Sequence, residues 1–282
     1  MPHRKYLIAL SILALAAGAA SAQVDCSTQL LGSSQGAQGD LDWSAAPVGL
    51  GGEYYSVDIA TGAGSLIGTM ASGLASELEY DILNDELWAE EVDGGPNLHQ
   101  LNPMTGGTIT TVAHTPGGLV GLEFVGSTLY GTFISGPGAP SDLVIVNTGT
   151  GALTTIGPTG FGPISGLAYD PVSGIMYGVV GGNPGAGDGG SGGGDLVTVD
   201  LASGAATSVG PTGLTAVGGL AFAPNGTLYG GTASGSATPN SLFTIDPATG
   251  AATFVGSVGF SVTGLTACAE VVPVELQSIS VE

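Results

Sequence analysis

Two stretches decide the fold: GLAYDPVSGIMYG at 166–178 and LFTIDPATGAATFVG at 242–256. Each sets short apolar runs rich in β-branched and aromatic residues against turns built from Asp, Pro, Ser or Thr, and Gly, the pattern of strands joined by tight turns. Outward from them the chain repeats one sentence. It reads L-x-x-[IV]-[DN]-x-x-[TS]-G, then x-[TL]-x-[IV]-G, then G-L-x-[FY], then L-Y-G. The [DN] position falls at Asp58, Asn102, Asn147, Asp200 and Asp246, so the pitch is 44, 45, 53 and 46 residues. A period in the forties with four short strands per unit marks a β-propeller.

Labelled a to d from channel to rim, the strands sort into four classes. The a-strands are expected at 76–81, 120–124, 166–170, 219–223 and 264–268, and the b-strands at 29–33, 86–90, 128–132, 175–179 and 227–231. The c-strands fall at 54–58, 98–102, 143–147, 196–200 and 242–246, and the d-strands at 65–68, 110–113, 154–157, 207–210 and 253–256. Five members per class predict an all-β fold of five four-stranded antiparallel blades. The chain starts with a b-strand and ends with an a-strand, so the last blade must combine both termini, which removes open edges. A helix is hard to place anywhere in the mature chain, because Gly and β-branched residues break every candidate.

The first residues read as a leader. His3, Arg4 and Lys5 precede an apolar run from Tyr6 to about Ala17, then Ala20-Ser21-Ala22 offers a small-x-small cleavage site. The expected organisation is a signal peptide over 1–22, a propeller over 23–271 and a tail over 272–282. No transmembrane segment is expected after cleavage, and the location is secreted, periplasmic or at a bacterial cell surface. Arg4 and Lys5 are the only Lys or Arg in the chain, against 23 Asp plus Glu. Phosphate backbones need cationic contacts, so nucleic acid is excluded as a partner, and anionic membrane surfaces are disfavoured.

The quoted units resemble blades of the NHL/YVTN-like propeller superfamily, and look closest to secreted bacterial proteins built on L-Y-x-I-D-x-x-T-G-x-x-T-x-[IV]-G. The resemblance spans roughly residues 27–270. It implies the fold and little about activity, since propellers host binding, scaffolding and catalysis alike.

The turn Asp or Asn reads as mechanical. Its side chain caps backbone amides, while Gly62, Gly106, Gly151, Gly204 and Gly250 take positive φ. Two G-x-S-x-G matches, at 32–36 and 189–193, lack the helix that a nucleophile elbow enters. The loop at 183–195 reads as a flexible b–c connection. The anomaly is the acidic blade after residue 75, because nine of the 23 carboxylates lie between 77 and 123. Strand direction places d–a and b–c loops on one face and a–b and c–d turns on the other. Glu77, Glu90, Glu91, Asp93 and His99 should then share a rim with Asp40, Asp42 and Trp43, with His114 further out. Glu79 and Glu123 hold equivalent a-strand positions near the central channel, where other blades carry Ala168, Ala221 and Thr266.

Carboxylates without basic partners suit a hard cation, and Ca²⁺ on Glu77, Glu79 and Glu123 is the expected metal. The candidate ligand-binding set is Glu77, Glu79, Glu90, Glu91, Asp93, Glu123 and Trp43, with no catalytic residue assigned. The leading expectation is a non-enzymatic binding or surface-interaction module for an extracellular small molecule, glycan or protein, with the varied b–c loops as recognition surface. The alternatives are a hydrolase or lyase using paired carboxylates, and a purely structural extracellular protein whose charges form a hydrated surface.

The two cysteines are expected to pair. In the blade at 219–256 the a-strand GLAFA turns directly into the b-strand TLYGG. Laying the terminal segments on that pattern puts Cys268 at the place of Ala223 and Cys26 at that of Pro224. A Cys26–Cys268 bond would replace the a–b connection that the closing blade lacks, and would form in an oxidising compartment.

Overall fold

The computed structural model describes residues 24–34, 52–70, 75–91, 96–135, 139–181 and 194–268. The expected leader at 1–22, Asp40, Asp42, Trp43, Asp93, most of the 183–195 loop and the 272–282 tail lie outside the described residues. β1 (Gln29–Ser34), β2 (Glu53–Asp58) and β3 (Gly64–Thr69) begin the chain. Four sheets' worth of strands follow in strict order. The first holds β4 (Ala75–Asp81), β5 (Glu86–Glu91), β6 (Asn97–Leu101) and β7 (Thr108–Ala113), and the second β8 (Gly118–Val125), β9 (Thr128–Ile134), β10 (Asp142–Val146) and β11 (Leu153–Pro158). The third holds β12 (Ile164–Asp170), β13 (Ile175–Val180), β14 (Asp195–Val199) and β15 (Ala206–Pro211), and the fourth β16 (Val217–Phe222), β17 (Leu228–Thr232), β18 (Ser241–Ile245) and β19 (Ala252–Ser257). The last strand, β20 (Gly264–Ala267), returns to pair with β1 and completes a sheet in the order β20-β1-β2-β3.

Every sheet is a four-stranded antiparallel meander, and β4, β8, β12, β16 and β20 pack side by side around a closed ring. The protein is a five-bladed β-propeller without a helix among the described residues. None of these residues forms a helix long and apolar enough to cross a membrane. Among the described residues the core divides into five apolar clusters, one in each seam between neighbouring blades. Leu30 and Val57 of the closing blade, for instance, pack on Ala221, Tyr229 and Leu242. Alternating side chains on a strand supply both seams flanking a blade, as the period of two requires.

The repeated sentence has a mechanical origin. Asp58 accepts hydrogen bonds from the Ala60 and Thr61 amides and the Thr61 hydroxyl, and Gly62 sits at φ 76°. Asp200 and Ser203 repeat the arrangement, with Gly204 at φ 80°. These bonds hold the Asp58 and Asp200 carboxyls below their ordinary range. The turn also leans on the previous blade's d-strand. A Cβ on Gly210 would lie 2.3 Å from the Thr249 carbonyl oxygen, and one on Gly157 2.3 Å from that of Ser203. The [IV]-G and [TS]-G motifs therefore recur together because they touch across each seam.

Closure follows the expected plan. Leu30 pairs with Ala267, Leu31 with Thr266, Gly32 with Leu265 and Ser33 with Gly264. Beyond that ladder Cys26 and Cys268 form a disulfide with Cα atoms 5.3 Å apart, within the span such a bond needs.

Candidate functional site

The inner strands build the channel in layers, and G-L-x-[FY] is the motif that does so. Its glycine is Gly121, Gly166, Gly219 and Gly264 in four blades. A Cβ on Gly219 would lie 2.5 Å from the Leu265 nitrogen, and one on Gly264 2.4 Å from that of Leu78. In the blades that carry glycine here the inner strands meet backbone to backbone, an approach that a Cβ would block. The acidic blade carries Glu77 at this place, paired across the sheet with Glu90.

One layer on, toward the a–b turns, stand Glu79, Glu123, Ala168, Ala221 and Thr266. Three of these side chains cap the next blade's inner edge. The Tyr80 amide donates to Thr266 Oγ1 at 3.2 Å, the Phe124 amide to Glu79 Oε1 at 3.3 Å, and the Tyr169 amide to Glu123. An innermost strand has one unpaired edge, and these oxygens satisfy its amides where no strand can.

The last position of the motif supplies Tyr80, Phe124, Tyr169 and Phe222, with Ala267 in the closing blade. All five line a funnel of about 230 Å³ at the a–b mouth of the channel, together with Glu79, Glu123, Ile82 and Leu83. Leu83 is 61% exposed and Ile82 38%, so the rim is apolar as well. The sequence signal for this wall is the [FY] of the repeat, which by itself marks only the end of a strand.

Burial dominates the electrostatics. Glu77 is 1% exposed and Glu79 4%, whereas Glu123 is half-buried. Burial pushes the Glu79 carboxyl up to about 8, against the lowering effect of its hydrogen bonds with Thr266 and Phe124. Glu77 and Glu123 are raised well above the ordinary carboxylate range by burial, and by the charge of Glu79. Glu77 receives its own Leu78 amide, but its Oε2 has no hydrogen-bond partner. The described residues contain no Lys or Arg.

The other predicted residues divide into two pairs away from the funnel. Glu90 is buried rather than on a rim, and both its oxygens meet Nε2 of His114, at 2.8 and 3.0 Å. Burial raises Glu90 to about 7 while His114 pulls it down; burial lowers His114, but Glu90 and the Thr115 carbonyl together outweigh it and leave His114 raised. His114, expected further out, is therefore the buried clamp of its d–a loop, its Nδ1 2.9 Å from the Thr115 carbonyl. Glu91 meets Nε2 of His99 at 3.0 Å, and Nδ1 of His99 meets Thr111. Both described histidines are thus engaged, and neither reaches Glu77, Glu79 or Glu123.

Glu79 and Glu123 line one funnel, and Glu77, buried behind them, is near enough to feel both charges. Yet among the described residues no three His, Cys, Asp or Glu side chains are grouped so as to hold a metal ion. Calcium wants six to eight oxygens, and the funnel walls are mostly carbon.

No family model matches the chain, and no curated protein matches its sequence. Among solved structures, a chain of the nidogen/laminin complex aligns with a TM-score of 0.51 at 13% identity, covering 78% of each chain. Hydrazine synthase of Kuenenia stuttgartiensis aligns at 0.46 and 13% identity, over 74% of this chain and 62% of that one. A structural genomics protein of unknown function from Bacteroides thetaiotaomicron VPI-5482 aligns at 0.42 and 14%, over 75% and 57%. The likeness to the nidogen/laminin chain, at 13% identity, is one of fold alone: this chain is a β-propeller.

Proposed function

We propose that the protein is a secreted, non-enzymatic binding propeller of the NHL/YVTN-like kind that takes its ligand at the a–b mouth of the central channel. The observation that carries this reading is the funnel itself, where an apolar and aromatic rim narrows onto Glu79 and Glu123. Concave, mostly apolar sites with a few convergent polar groups are the general form of a small-ligand site. Export is supported by the leader pattern and by a disulfide that needs an oxidising compartment. The purified protein would be screened by thermal shift against cations, amines, sugars and short peptides, since a ligand specific to the folded state raises the melting temperature. Hits should lose their effect in Leu83→Glu, which changes an exposed rim residue, and in Glu123→Gln. Hits indifferent to both substitutions would move the site elsewhere, to the b–c loop face for example.

A further inference from the structure

Resting on that reading, we propose that the ligand group is an organic cation: a primary ammonium on an apolar, preferably aromatic stem, seated with its charge on Glu79 and Glu123. Four observations converge on this. The acidic layer has no internal cation, because the described residues hold no Lys or Arg and His99 and His114 are committed to Glu91 and Glu90. Glu77, directly behind that layer, keeps an unpartnered oxygen while 1% exposed. The rest of the wall is largely apolar, and Phe124, Tyr169 and Phe222 line it, the ring type that attracts a cation. And the funnel holds about 230 Å³, where a cavity of about 150 Å³ accepts benzene, so a ring with a short amine tail fits.

The alternative cation is a metal ion. A bare divalent ion must replace its water shell with oxygens, and the funnel offers two carboxyls beneath an apolar rim. An ammonium needs only three acceptors, and its stem gains from the same walls that a metal could not use.

Binding must expel protons. Near Glu79 are Glu77 and Asp81 from its own strand and Glu123 from β8, with Tyr80, whose hydroxyl donates to Asp85, and Tyr169 among the lining residues. With Glu79 raised to about 8 by burial, the free site holds protons at neutral pH, and an arriving ammonium exchanges for them.

The test is calorimetric titration with 2-phenylethylamine, its neutral counterpart 2-phenylethanol, CaCl₂, and a lysine-bearing tripeptide. The amine should bind and the alcohol should not. Affinity should rise between pH 5.5 and 7.5 by up to about tenfold per unit for each proton released. Glu79→Gln and Glu123→Gln, checked for an unchanged circular dichroism spectrum, should each weaken binding at least about tenfold, the scale of a lost charge-assisted hydrogen bond. Tighter binding of the tripeptide would make the source a lysine side chain of a partner, and tighter binding of the amine a free small molecule; both support the ammonium. Binding of 2-phenylethanol, or a calcium response without an amine response, lost in Leu83→Glu, would overturn the ammonium and leave the funnel as the site. No response to any of the four would overturn the ammonium, while the broader screen with Leu83→Glu decides separately on the funnel.

Discussion

Opening the Cys26–Cys268 bond should cost the propeller a large share of its stability. The bond joins residues 242 apart, so reduction releases nearly the whole propeller from a single covalent loop. The chain-entropy model assigns such a loop about 5 kcal/mol, and removal of native disulfides costs about 2–5 kcal/mol in practice. Without the bond the closing blade relies on four registered pairs between β1 and β20 and on the burial of Leu30, Leu31 and Leu265. A loss of about 4 kcal/mol in a domain of this size lowers the melting temperature by roughly 8–16 °C. The measurement is a calorimetric melt of the oxidised protein against Cys268→Ser and the double serine variant. Hydrogen exchange would be followed at Leu30–Ser33 and Gly264–Ala267. Exchange should rise first in those segments. Melting temperatures within about 2 °C of each other, with faster exchange confined to the two strands, would refute the reasoning. The terminal blade would then fray without governing the cooperative unfolding of the ring.

Two further outcomes follow from the buried acids and the glycine ring. Glu77, Glu79, Glu90 and Glu123 all titrate above the ordinary 4.5 when folded, Glu79 near 8 and Glu90 near 7, with burial the largest cause. The folded state therefore holds protons that the unfolded chain has released, so this contribution is fully present below about pH 4.5 and is lost as pH rises toward 8. The urea midpoint should fall from pH 5 to pH 8, and a flat or rising profile would show that these carboxyls are not buried. Gly219→Ala should cost about 1–3 kcal/mol, the usual range for overpacking, because its Cβ would lie 2.5 Å from the Leu265 nitrogen; a denaturation midpoint equal to wild type would mean that the β16–β20 seam can open.

The sequence by itself determined the strands, their number and their order. Each blade carries the same local instructions: an Asx-capped turn with a positive-φ glycine, and short alternating runs that cannot become helices. Such signals act within a few residues, and repetition made them readable five times over. Ring closure and the disulfide were legible too, because a missing a-strand at one end and a surplus one at the other leave a single way to complete the fifth sheet. That Glu79 and Glu123 face the channel was visible from their alignment with Ala168, Ala221 and Thr266. Only the tertiary structure decided what those carboxyls meet. Glu90 passed for a rim charge until His114, 24 residues on, was found folded over it. The [FY] residues looked like ordinary strand formers until five inner strands converged and turned them into the wall of one funnel. Burial, and hence the protonation of Glu77, Glu79 and Glu123, depends on how closely neighbouring blades approach. That approach is a sum over seams, and no segment of the chain contains it.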